Sequence, residues 1–116
     1  MQSLKLVSED SRRKLFEFGE GIWKVAKYIE VSQDCEIGSH YHKEKDEFFL
    51  LIDGEMEYTL ASKSDVSLTY YVYNRRVTAP FAISVPRGTF HTFKIKAGSR
   101  MIGLCSELFN KCDDHI

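Results

Sequence analysis

Short apolar runs, alternating with polar residues and ending at turn residues, recur from residue 21 to residue 105 and constrain the fold more than any other feature. The clearest is EMEYTL at 55–60, where Glu55 and Glu57 fall on one side of an extended chain and Met56, Tyr58 and Leu60 on the other. That division follows from the two-residue side-chain period of a strand. EFFLLI (47–52) precedes it, separated by Asp53-Gly54, a dipeptide that favours a tight hairpin turn. GIWKVAKYIEV (21–31), VSLTYYVYN (66–74), FAISV (81–85), TFHTFKIK (89–96) and RMIGLC (100–105) continue the series. All are rich in β-branched and aromatic residues, which suit a pleated, half-buried surface. Only SEDSRRKLFEF (8–18) has helical possibilities, and it is short. The pattern predicts an all-β, antiparallel sandwich or barrel.

One such domain accounts for the whole chain, residues 1–116. A chain of this length buries roughly two-thirds of its unfolded surface, enough for one core without covalent staples. Sixteen basic side chains against seventeen acidic ones leave no basic excess to attract nucleic acid. The N-terminus has no apolar signal-peptide core, and no window approaches about 18 consecutive apolar residues, so neither export nor a membrane span is expected. The cytoplasm is the expected compartment. Cys35, Cys105 and Cys112 are an odd number at irregular spacing, unlike a disulfide framework. Cys112 and His115 stand three apart at the polar terminus, a weak metal-binding spacing.

The chemistry-bearing stretch is HYHKEKDE, residues 40–47. On a strand, His40 and His42 project from the same face. KEKD reads as a turn, and Glu47 then heads the apolar run FFLLI. A carboxylate at the mouth of a buried strand needs hydrogen bonds or a cation. Downstream, Pro86 and Gly88 form a turn that leads into a strand carrying His91, with Thr89, Phe93 and Ile95 on its face. Each signal alone also fits a bland alternative: a solvated turn for the first pair, a core histidine for the last.

Taken jointly, H-x-H-x4-E-x6-G over His40, His42, Glu47 and Gly54, followed by P-x-G-x2-H over Pro86, Gly88 and His91, resembles the RmlC-like cupin superfamily. The resemblance covers residues about 36–105 and implies a cupin-type antiparallel β-barrel (double-stranded β-helix, or jelly roll), with residues 1–20 packing on or extending it. Position by position, it places His40, His42, Glu47 and His91 on the cupin metal ligands. Three positions depart from the pattern: Asp34 and Pro80 stand where glycines would, and Ile95 where an asparagine would. The departures touch turns and a core position, not ligands. Asp10, Arg12 and Glu17 are also similar to the D-x-R-G-x-x-x-E opening of cupins in nucleotide-sugar metabolism, with Arg13 in place of the glycine. Those ketoisomerases and epimerases commonly use acid–base chemistry without a metal, which fits poorly with a complete ligand set.

Three imidazoles and a carboxylate without thiolate suit one divalent Fe, Mn, Ni, Co or Zn ion. Four protein ligands leave two octahedral positions open for water or substrate. The inward faces should carry Phe49, Leu51, Met56, Tyr58, Phe93 and Tyr71 or Tyr73, an apolar cup with phenolic hydroxyls. Tyr58 and Tyr71 are the candidate proton-transfer groups, and Arg87 and Arg100 are placed to reach the rim. The expected function is isomerisation or epimerisation of a small sugar derivative; a non-haem iron dioxygenase and a non-catalytic small-molecule-binding barrel are the alternatives. The many apolar residues of 21–31, Trp23 in particular, point to a homodimer.

Overall fold

The computed structural model describes residues 4–63 and 70–108, with the side chains of 62, 63 and 70–72 outside that description. Among the described residues ten strands run in order: β1 (Lys5–Glu9), β2 (Lys14–Glu17), β3 (Val25–Glu30), β4 (Cys35–His40), β5 (Glu47–Asp53), β6 (Glu55–Lys63), β7 (Tyr70–Thr78), β8 (Phe81–Val85), β9 (Phe90–Ile95) and β10 (Arg100–Cys105). Among the described residues there is no helix, and hence none long and apolar enough to cross a membrane. Two four-stranded antiparallel sheets, ordered β3-β10-β5-β8 and β4-β9-β6-β7, form the body. The antiparallel sheets are those expected from the strand pattern, and their arrangement is the jelly roll that the resemblance implies.

The alternation in 55–60 behaves as its period requires. Met56, Tyr58 and Leu60 are buried and face Val77, Phe81, Ile83, Phe93 and Ile95 in one core. β5 and β10 pair from Glu47↔Cys105 through Gly103↔Phe49, and a bulge separates Arg100 from Met101. Gly54 closes the β5–β6 turn at φ +94°, where an added Cβ would lie 2.7 Å from the Ser99 Cα.

Two expectations change. Residues 8–18 form no helix: β1 and β2 pair as a separate two-stranded hairpin. Asp10 makes its turn, because Oδ1 accepts hydrogen bonds from the Arg12 and Arg13 backbone N–H groups, a local bond that competes with helix. The strand expected over 21–31 is confined to Val25–Glu30. Trp23 precedes it and is half-buried, its ring against Phe48 and its indole N–H donating to the Gly19 carbonyl. Exposed apolar surface sits instead on the hairpin, at Leu6, Val7, Leu15 and Phe16, and at Ile22. Cys112 and His115 lie outside the described residues.

Candidate metal centre

His40 ends β4, Glu47 opens β5 and His91 lies in β9, so the three come from both sheets at one end of the barrel. Register brings them together: His40 pairs with His91 across β4–β9, and Glu47 is the first residue of the β5–β10 ladder. The expected same-face projection of His40 and His42 is reached through an irregular backbone. Ser39 has φ +63°, the β4–β9 register shifts between Gly38 and His40, and His42 lies beyond the strand. The His42 carbonyl accepts a hydrogen bond from the Gly88 N–H, which ties the first motif to the Pro86–Gly88 turn that delivers His91.

One ligand atom from each of His40, His42, Glu47 and His91 lies within 4.8 Å of every other. The imidazole centroids are 4.4 Å apart for His40–His42, 4.6 Å for His40–His91 and 5.5 Å for His42–His91. Glu47 Oε1 lies 2.9 Å from His42 Nε2 and 3.6 Å from His91 Nε2. Despite that proximity Oε1 has no hydrogen-bond partner. A buried carboxylate oxygen without a hydrogen bond needs compensation, and the four residues together form a group that could hold a metal ion. Burial, the largest cause, holds the His91 imidazole near a pKa of about 4, with the Glu47 carboxylate opposing and His40 adding to the depression. His91 is therefore neutral at neutral pH, the form that binds a metal. The donor set fits a borderline divalent ion.

His42, Glu47 and His91 are buried, whereas His40 is only partly covered. Phe49 and Phe93 back the cluster, with ring centroids 6.1 and 5.6 Å from His91. Phe49, Leu51, Met56, Tyr58 and Phe93 are all buried as expected, while Tyr73 is 47% exposed. Tyr58 pairs with Phe93, two residues along β6 from the Leu60↔His91 pair, and its ring lies against Phe81 and Tyr73. Burial first, then Tyr73, raises its phenol above the ordinary value. Tyr71 belongs to β7, but its side chain lies outside the described residues. Arg87 donates to both carboxylate oxygens of Asp46. Arg100 pairs with Asp53 at the opposite end of β5 from Glu47, so it cannot serve this rim.

Two neighbours of the site escaped sequence reasoning. Lys45, within the KEKD turn, is buried at 3% exposure, close enough to Cys105 to act on its charge. Nothing in a run of four charged residues marks one of them as interior. Cys105 is buried beside Glu47, with Sγ 3.6 Å from Oε2. A cleft of about 640 Å³ between residues 17–23 and the outer face of β5 and β8 involves Phe48 and Ser84, whose side chains point away from the cluster. It holds no comparable group of ligating atoms among the described residues.

Gly38 keeps this end of the barrel closed. At φ +98° its added Cβ would meet the His91 carbonyl oxygen at 2.7 Å and His91 Cδ2 at 3.1 Å. Gly38→Ala should cost about 2–4 kcal/mol, combining left-handed strain with overpacking. It should also lower metal uptake by pushing β9 from β4, both effects measured by denaturant unfolding and elemental analysis.

No protein-family description matches the chain, and no curated protein matches it. Solved structures do. A 3,4-ketoisomerase from Helicobacter canadensis is 17% identical with TM-score 0.78, over 98% of this chain and 87% of that one. A dTDP-4-dehydrorhamnose 3,5-epimerase from Elizabethkingia anophelis is 19% identical with TM-score 0.76, over 97% and 79%. A sugar 3,4-ketoisomerase from Thermoanaerobacterium thermosaccharolyticum in complex with TDP is 18% identical with TM-score 0.67, over 96% and 83%. The chain shares its fold with these two ketoisomerases and the epimerase.

Proposed function

We propose that this chain is a metal-binding cupin that isomerises or epimerises a small sugar derivative. The single observation that carries the metal reading is Glu47 Oε1, buried and without a hydrogen bond, 2.9 Å from His42 Nε2 and 3.6 Å from His91 Nε2. Support for the substrate class comes from the solved structures of similar fold, whose names are sugar ketoisomerases and an epimerase. His40, His42, Glu47 and His91 would hold the ion. When bound, a divalent metal supplies a Lewis acid for a carbonyl or hydroxyl oxygen. The chain's own residues do the rest. The Phe49 and Phe93 rings exclude water behind the cluster, and the partly covered His40 side leaves an approach for a small molecule. Tyr58, its phenol kept protonated by burial, would act as a proton donor and not as a base. The test is incubation of metal-loaded and chelator-treated protein with a TDP-linked 4-dehydro sugar in deuterated water, followed by NMR. Metal-dependent deuterium exchange at a carbon next to the carbonyl supports the reading; exchange equal in both samples, or none, contradicts it.

The protein also acts as a homodimer in this reading, through the apolar hairpin. Leu6, Val7, Leu15 and Phe16 are each more than 40% exposed on a two-stranded sheet, and an isolated hairpin is marginal in water without a partner surface. Light scattering at micromolar concentration should give twice the 13.4 kDa chain mass, and Leu15→Glu/Phe16→Glu should return the monomer.

A further inference from the structure

The two oxygens of Glu47 have different surroundings. Oε1 faces His42 and His91 with no hydrogen bond, whereas Oε2 accepts one from the Cys105 thiol at 3.6 Å. Cys105 ends β10 directly opposite Glu47 in the ladder and is 1% exposed, so the thiol cannot turn to solvent. Resting on the metal reading above, we infer that Cys105 is a positioning residue that fixes the Glu47 carboxylate so that only Oε1 is offered to the metal.

The physical reason is orientation. A carboxylate free to rotate can present both oxygens to one ion and occupy two coordination positions. A donor on one oxygen holds the plane of the group and leaves the second position open. Partners of this kind behind metal ligands typically change metal affinity about 10- to 100-fold when removed. The thiol is a weak donor, but at this buried site no other hydrogen bond to Glu47 Oε2 is seen among the described side chains.

The test uses metal-stripped full-length protein titrated with Co(II), whose visible absorption reports coordination number, with affinity read by competition against a chromophoric chelator. Cys105→Ala should bind Co(II) about 10- to 100-fold more weakly and show a changed visible spectrum. Cys105→Ser, which keeps a donor at the same Cβ, should restore the wild-type spectrum and most of the affinity. Metal-free melting curves check folding, and Cys105→Val replaces the alanine variant if that one does not fold. Wild-type affinity and spectrum in the alanine variant overturn the assignment, as does equal loss in the alanine and serine variants, which would point to volume and not to the donor. Failure of the wild type itself to bind Co(II) would instead overturn the metal reading, and this assignment with it.

Discussion

Phe93→Ala should destabilise the protein by about 3–5 kcal/mol, the usual cost of emptying an aromatic core position. Phe93 has no exposed surface and packs edge-on against Phe49 at 4.9 Å. It also lies 5.6 Å from the His91 ring, so the cavity would open directly behind the His40–His42–Glu47–His91 cluster. For a domain of this size the loss corresponds to a fall in Tm of more than about 10 °C. Tyr28→Ala on β3, at a position 54% exposed, should change stability by less than about 0.5 kcal/mol. Urea unfolding of both variants separates the cases: similar small losses would mean that Phe93 is not a core residue.

Acid should weaken the metal-free protein in a defined window. His91 is held at about 4 in the folded state against an unfolded value of 6.5. Above pH 6.5 the residue is neutral in both states and contributes no pH dependence. Between pH 6.5 and 4 the unfolded chain binds the proton that the folded chain refuses, so stability falls with pH by a total of about 3 kcal/mol. Below pH 4 both states are protonated and this contribution levels off. Asp34 and Asp46 are held below their ordinary value, Asp34 first by the Ala97 backbone N–H and Asp46 first by Arg87. Their losses fall in more acidic solution and are separable. Denaturant unfolding at pH 7, 5 and 4 should show the decline in chelator-treated wild type and a flatter profile in His91→Leu. Metal-loaded protein should keep its Tm from about pH 8 to about pH 6 and lose it as protons displace the ion. Equal slopes in wild type and His91→Leu would exclude His91 as the source.

Local chemistry made much of this legible in the sequence. Period-two alternation placed Met56, Tyr58 and Leu60 inward, and FAISV and RMIGLC match β8 and β10 residue for residue. His40, His42, Glu47 and His91 stand together because two short spacings each fall at the same end of the barrel. What stayed hidden depends on which strands are neighbours. Cys105 meets Glu47 only because β10 lies beside β5, across 58 residues of sequence. Arg100 looked available for the rim, yet the antiparallel register carries it to the far end of the same ladder. Residues 8–18 carry helical possibilities in the sequence, yet the Asp10 turn sets β1 and β2 into a hairpin. Lys45 is interior for reasons of tertiary packing that its charged neighbours conceal.

Metal content decides whether His40, His42, Glu47 and His91 form one metal site. Wild-type protein purified without chelator or affinity-metal contact, and single alanine variants at the four positions, are analysed for transition metals. The expected result is about one divalent transition-metal ion per chain in the wild type and a large loss in each variant, with metal-free melting curves showing that the variants fold. A wild type that holds no ion even after incubation with Fe(II), Mn(II), Co(II), Ni(II) and Zn(II), or a His91→Ala variant that keeps full occupancy, would contradict it.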